Sequence, residues 1–352
     1  MALAAVIPRQ ASDPRCARPA DVVQGQLPPR LRRCRGLPSL DHRDFMRVSL
    51  IHNPSAGDDE FSREHLVWLL QEHGHVLAHE AAKNEDWSHL IEDPGDLVVI
   101  AGGDGTVGAA ALKLIHRHVP IAILPMGTAN NIARALRIHG GPAELIAGWP
   151  TARRRPMDVG VASGPWGKSW FIEGVGLGLF ATAMAVLDER DSRTRSKPGT
   201  RESKLERDVH TLKGLASEYP PLLLDGTIDG RPLSGKVLLV AAMNIAAVGP
   251  NMDLAPNADP GDGQLDFALV REERRADFID YVTTRLRGGE ATPPTDVHRG
   301  RSLRLAWSGY DAHIDDRAWR GENPMPDAHA AIEIDVAAHA LEVLLPPATE
   351  NA

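Results

Sequence analysis

Cysteine is almost absent from this chain. Only Cys16 and Cys34 occur among 352 residues, so everything beyond position 34 lacks a thiol. That excludes a disulfide framework and a cysteine zinc site from the bulk of the protein, and suits a cytosolic setting. Long hydrophobic runs are missing too. The longest, Val237 to Val248, is interrupted by Asn244 and is too short to cross a bilayer. The start, Met1 to Ile7, is mildly apolar but has neither the basic opening nor the sustained apolar core of a signal peptide. Positive charge is not in excess either: the net charge of −8 argues against a general nucleic-acid binder, which presents a basic face. What is present, 43% hydrophobic and 24% charged residues with 32 glycines and 27 prolines, fits a soluble globular chain long enough for two cores.

Residues 1 to about 43 are rich in proline and arginine, show no period, and read as a disordered extension, placed at 1–45. The texture changes at Met46, which is also a candidate biological start. Val48 to His52 reads as a strand, followed by the turn Asn53-Pro54-Ser55-Ala56-Gly57 and a helix with Phe61, Leu66, Leu69 and Leu70 on one face. His75 to Ala78 makes a second strand, and Asn84 is the expected cap of a short helix carrying Trp87, Leu90 and Ile91. The run Val98 to Ala101 ends in Gly102-Gly103-Asp104-Gly105-Thr106 and restarts as a helix using Val107, Ala111, Leu114 and Ile115. Pro120 to Pro125 repeats the pattern, ending in Met126-Gly127-Thr128-Ala129-Asn130-Asn131 and a helix from Ile132 to Leu136. This βαβα order implies a parallel sheet with helices on both sides. Ligands in such sheets gather at the carboxyl ends of the strands, where all three polar turns fall.

After Arg153-Arg154-Arg155 the runs become short and are separated by Gly, Pro and Asp. Met157 to Ala162, Trp170 to Val175, Leu222 to Ile228, Lys236 to Asn244, Gln264 to Val270, Ser302 to Trp307 and Ala312 to Asp315 read as an antiparallel β domain. A helical insertion, roughly Ala181 to Glu218, has a charged middle, and Ile332 to Leu345 is strand-like. The charged run Arg190 to Arg207 is a solvated face, with contact to anionic head groups through Arg193, Arg195, Lys197 and Arg201 as the functional alternative.

The glycine turn is the most specific feature. A buried strand, a glycine-rich turn and a helix N-terminus together favour a phosphate. With Asn53-Pro54-Ser55-Ala56-Gly57 before it, Pro125 to Asn130 after it, and Ala255-Pro256 with Asp262-Gly263-Gln264-Leu265-Asp266 later, the chain resembles the diacylglycerol kinase catalytic-domain family. That family includes bacterial lipid kinases and sphingosine and ceramide kinases, and the likeness extends from Met46 to Pro346. It implies an α/β architecture of two domains, a Rossmann-like parallel α/β domain and an antiparallel β-sandwich-like domain, as in the NAD kinase/diacylglycerol kinase-like fold. The nucleotide domain would span 46–155, joined by the C-terminal segment of about 338–352, and the acceptor or lipid domain 156–337.

The resemblance also implies roles. ATP would be held by Asn53, Ser55, Gly102, Gly103, Asp104, Gly105, Thr106, Gly108, Gly127 and Thr128, with Mg²⁺ as its metal and the Thr106 hydroxyl adding a contact. Asp104 holds the metal or orients the attacking hydroxyl, the alternative being a helix N-cap. Asp262, with the backbone oxygens of Asp259 and Gln264, matches a structural Mg²⁺ site; the alternative is an Asp-Gly turn. Asp315 and Glu322 compete for the place of a catalytic Asp-Gly-Glu. Departures from the pattern are Gly108-Ala109 in place of Asn-Glu, Asn131 in place of Asp, and Arg317 after Asp315-Asp316. The function implied is an ATP-dependent lipid kinase of phospholipid biosynthesis acting on a diacylglycerol-like or long-chain hydroxyl. It would be cytoplasmic, peripheral on the inner membrane face, with a lipid acceptor, no nucleic acid and a possible homodimer as partners. The alternatives are a degenerate nucleotide- or lipid-binding member and a soluble small-molecule kinase of the NAD kinase superfamily.

Overall fold

A computed structural model describes residues 45–56, 61–193, 201–249, 252–321 and 331–347. Apart from Phe45, the extension expected over 1–45 lies outside them. So do Arg195 and Lys197, and nothing is described of the side chains of Arg193 and Arg201.

The first part alternates strands and helices: β1 (Arg47–His52), α1 (Arg63–Glu72), β2 (Val76–Ala82), α2 (Ser88–Glu92), β3 (Leu97–Gly102), α3 (Asp104–Lys113), β4 (Ile121–Pro125), α4 (Asn131–Ala135) and α5 (Pro142–Ala147). The second part is chiefly antiparallel. It holds β5 (Arg153–Gly164), β6 (Gly167–Phe171), β7 (Gly174–Gly178), α6 (Leu179–Arg193), α7 (Arg201–Glu218), β8 (Leu222–Ile228), β9 (Arg231–Met243), β10 (Ala247–Val248) and β11 (Met252–Asp253). It ends with β12 (Leu265–Arg271), α8 (Arg275–Leu286), β13 (Asp296–Gly300), β14 (Ser302–Ala306), β15 (Ala312–Ile314), β16 (Arg317–Trp319) and β17 (Ala331–Leu345).

Strands β2, β1, β3 and β4 pair in parallel in that order. Their apolar side chains, with those of α1 and α3, form one core around Val48, Leu50, Leu66, Leu97, Ile100 and Ala110. β17 is the seam. Val343 pairs in parallel with Ile121 of β4, whereas Ala331 to Asp335 pair antiparallel with β14. Along its other edge β17 runs antiparallel to β5 from Glu333 to Leu345. Parallel and antiparallel parts therefore belong to one continuous sheet. Two further cores fill the second part, one between its strands and one under α6, α7 and α8.

The expected fold class is the observed one, with local differences. Asn84 does not cap α2; Trp87 precedes that helix without a side-chain cap, and the carboxylate that accepts the Ser88 N–H is Asp86, at 3.0 Å. The single strand expected from Trp170 to Val175 is broken at Ile172 and Glu173 into β6 and β7. Helix α8 has no counterpart in the sequence reading. Its signal is three buried residues at helical spacing, Phe278, Tyr281 and Val282, diluted by charge.

The seam needs a break, and one side chain supplies it. Between Ala337 and Leu341 the β5–β17 register shifts, with His339 in the left-handed region at φ 55°. The bulge leaves the His339 N–H without a ladder partner. Buried Asp158 of β5 accepts it at 2.8 Å, and its other oxygen accepts the Gly263 N–H at 2.6 Å. One carboxylate thus fixes both the bulge and the loop before β12. Asp158→Ala strands two N–H groups and is expected to cost about 2–4 kcal/mol. Urea unfolding checks this; a midpoint unchanged from wild type contradicts it.

Candidate active site

The site begins where β3 stops. Every residue of Leu97–Gly102 is buried, and each of its larger apolar side chains contributes about 1.5–3 kcal/mol by burial. The strand end is therefore a fixed rim, and the chain turns into α3 through a single residue, Gly103. Among the described residues no hydrogen bond takes up the N–H groups of Gly103, Asp104 and Gly105. The first turn of α3 is open to an anion.

A second turn comes from β4 alongside. Asn130 sits in the left-handed region at φ 50°, and its amide closes the turn on Gly127. The Gly127 N–H donates to Asn130 Oδ1 at 2.9 Å, and Asn130 Nδ2 donates to the Gly127 carbonyl at 2.8 Å. The two turns touch: a Cβ on Gly127 would fall 2.5 Å from Gly103 Cα. Asp104 locks them together. Its Oδ1 accepts the Ile132 N–H at 3.0 Å, so the aspartate of the first turn caps the helix of the second, not its own.

Asn53 forms the third side, its N–H donating to the Ala101 carbonyl and its side chain accepting the Ser55 N–H. A cavity of about 600 Å³ results, lined by Asn53, Ser55, Ala56, Lys83, Gly103 to Thr106, and Met126 to Thr128. Of the expected nucleotide residues, Gly102 and Gly108 do not line it: Gly102 lies beneath, and Gly108 is buried within α3. Thr106 Oγ1 is buried without a partner, and a Cβ on Gly102 would fall 2.9 Å from it. The hydroxyl is thus tucked under the turn, and the expected phosphate contact has no support there.

Two groups escaped the sequence reading. A Cβ on Gly105 would lie 3.1 Å from Asp316 Oδ2 and 3.8 Å from Lys83 Nζ, which brings a carboxylate and an ammonium to the open helix end. Lys83 belongs to no recognisable spacing, and Asp316 stands in the Asp315-Asp316-Arg317 stretch, where Asp315 is the residue singled out. Asp315, one residue earlier, is occupied otherwise. Its carboxylate accepts N–H groups from Ile172, Glu173 and Gly174 at 2.8–3.1 Å, which ties β15 to the break between β6 and β7. Burial pushes that carboxyl up to about 6, against the pull of the three N–H groups. Glu322 lies outside the described residues.

Glu173 is the third group missed. It is only 7% exposed. Burial, and after it the charges of Asp315 and Asp104, push its carboxyl up to about 8. Asn131 Nδ2 donates to it at 3.4 Å and to the Gly249 carbonyl at 2.8 Å. In the sequence Glu173 is merely the residue before a glycine-rich strand.

The cavity fits nucleotide phosphates. Unpaired N–H groups and Lys83 meet their charge, while Asp104 and Asp316 supply the one or two carboxylates with which Mg²⁺ usually joins them. At the second expected metal site the Asp262 carboxylate, its one side-chain ligand, is engaged by other partners. Asp262 accepts the Gln264 N–H at 2.9 Å and is paired with Arg299; Asp259 accepts the Gly261 N–H at 3.0 Å and is paired with Arg155. Both carboxylates have guanidinium partners. Residues 259–264 form a turn clamped by arginines.

A parallel α/β part with a cavity at its glycine turns, continued by an antiparallel β part, makes up the fold. Residues 47–162 match the diacylglycerol kinase catalytic domain, and residues 184–344 match the YegS C-terminal NAD kinase beta sandwich-like domain. The chain belongs to the diacylglycerol kinase catalytic-domain family. It is 27% identical over 258 residues to a diacylglycerol kinase of Bacillus subtilis, covering 69% of this chain and 79% of that one. To a diacylglycerol kinase of Mycobacterium tuberculosis it is 25% identical over 283 residues, covering 77% and 81%. The crystal structure of a diacylglycerol kinase from Bacillus anthracis matches with a TM-score of 0.58 at 19% identity, covering 86% and 97%. That structure speaks to the fold alone.

The contact between the turns yields a direct prediction. Gly127→Ala drives a methyl group into Gly103 and is expected to part the turns while leaving the buried strands paired. Far-UV circular dichroism should be retained and the rise in Tm with Mg·ATP lost. A variant stabilised by Mg·ATP as well as wild type contradicts the assignment.

Proposed function

We propose that the chain is an ATP-dependent lipid kinase that transfers the γ-phosphoryl group to a hydroxyl of a diacylglycerol-like or long-chain acceptor. The observation that carries this reading is the pair of touching glycine turns, with unpaired N–H groups on one and Asp104 bracing the other. Family membership supports the kinase class, and the lipid kinases among its relatives favour a lipid acceptor. On this reading residues 46–155 with the C-terminal strand carry the nucleotide, and residues 156–337 bring the acceptor. No described helix is long and apolar enough to cross a membrane. The enzyme would meet its substrate from the cytoplasmic side, as a peripheral protein.

The residues divide the work. Backbone N–H groups of Gly103 to Gly105 and Lys83 hold the phosphates, which phosphoryl transfer needs more than covalent help. A divalent cation bound with the nucleotide would neutralise charge between phosphate oxygens and the carboxylates of Asp104 and Asp316. The acceptor oxygen attacks the γ-phosphorus, the bond to the β–γ bridging oxygen breaks, and ADP leaves. Glu173 takes the hydroxyl proton. Asn131 holds its carboxyl in place.

The protonation state makes this testable. A carboxyl with a value of about 8 is mostly protonated at pH 7, and only the ionised form accepts a proton. As pH rises through about 8 the ionised fraction grows, so kcat/KM should climb and level off above it. Purified protein with Mg²⁺ and γ-labelled ATP, offered diacylglycerol, phosphatidylglycerol, sphingosine, ceramide and NAD, provides the assay. Label in a lipid is expected. Asp104→Ala should abolish it, and Glu173→Gln should lower kcat by about 10²-fold or more and remove the rise with pH. ATP binding without any labelled product overturns the kinase reading in favour of a nucleotide-binding relative. An unchanged pH profile in Glu173→Gln removes that residue from the reaction.

A further inference from the structure

A second cavity, of about 670 Å³, shares no lining residue with the nucleotide cavity, though Asn131, the partner of Glu173, lines it. Its charge sets it apart. Arg134 and Arg137 line it from the end of α4 and Arg153 and Arg155 from the start of β5, against two carboxylates, Asp253 and Asp259. Those carboxylates are already engaged. Arg155 pairs with Asp259, and Asp253 is shared between Arg285 at 2.6 Å and Arg134 at 3.8 Å. Arg137 and Arg153 are exposed and have no side-chain partner among the described residues. In a chain with a net charge of −8 this is a local surplus of cation.

The backbone adds an independent observation. Arg137 closes α4 in the left-handed region at φ 56°, with the Ile138 N–H returning to the Ala133 carbonyl at 2.8 Å. Glycine fills such a closing position with least strain. An arginine there accepts strain and sets a guanidinium at the mouth of the cavity. Planar guanidinium forks suit phosphate oxygens. Exposure then selects the source. Salt screens a single small anion in an open basic cavity, whereas a surface carrying many phosphates adds its own negative potential.

We propose that this cavity is a phosphate-binding site for the headgroup of an anionic phospholipid, separate from the nucleotide turn. It does not depend on phosphoryl transfer. The test is sedimentation of full-length protein with vesicles of phosphatidylcholine alone or of an equimolar mixture with phosphatidylglycerol. The double variant Arg137→Ala/Arg153→Ala is compared with wild type. Both side chains are exposed and unpaired, so Tm and its rise with Mg·ATP should be unchanged. Wild type is expected to sediment with the mixed vesicles and not with phosphatidylcholine, and the double variant to bind at least about tenfold more weakly. Equal binding by the two proteins overturns the proposal. So does a rise in Tm with inorganic phosphate or glycerol phosphate, lost in the double variant, without vesicle binding by wild type; that result assigns the cavity to soluble phosphates. Binding is read without turnover, so failure here and failure of the kinase assay are separate outcomes.

Discussion

Two backbones lie closer at this site than any side chain permits. Gly103 and Gly127, at the ends of neighbouring parallel strands, meet at a distance that a single methyl group would abolish. The rest of the nucleotide cavity follows from that contact. Because the turns touch, Asp104 reaches the N-terminus of α4 and caps it. Because Asp104 is used in that way and Gly103 has no side chain, the N–H groups at the start of α3 keep no internal partner. The buried strand behind them keeps the rim in place. An anion site made of backbone needs this rigidity, since backbone groups cannot swing to meet a ligand as a lysine can.

The antiparallel part completes the site because of how β17 is shared. Its end lies in the parallel sheet and its start in the antiparallel one, with the Asp158-bound bulge between. Along the same sheet, Asp315 ties β15 to the break between β6 and β7 and so sets the position of Glu173. Asp315 serves as an anchor, while Asp316 lies at the glycine turn and Glu173 against Asn131. Burial, with carboxylates crowding nearby, accounts for the high value of Glu173. Burial is the larger cause, and the charges of Asp315 and Asp104 add to it.

Much of this was legible in the sequence, for reasons that mark the limit of such reading. The glycine turns, their order and the strands that end in them are local features, and local features follow from periodicity and turn chemistry. The switch to an antiparallel texture after Arg155 was equally plain. Long-range features were not. Nothing in Glu173 or Lys83 marks them, and Asp316 is overshadowed by Asp315, because each gains its meaning from a strand or turn far away in the chain. The Asp262 turn shows the same limit from the other side. Its spacing suits an oxygen-ligated cation, yet Arg299 arrives from a distant strand and pairs with the Asp262 carboxylate. Helix α8 went unread because three apolar residues among charges make a weak signal.

The central claim is that the touching turns grip a nucleotide through their backbone. Hydrogen exchange of the backbone amides, with and without a non-hydrolysable Mg·ATP analogue, reads those N–H groups themselves. Protection should appear at Gly103 to Thr106 and at Gly127 and Thr128, and be absent from 261–264. Unchanged exchange in both turns at saturating analogue, or protection confined to the turn at 261–264, contradicts the account.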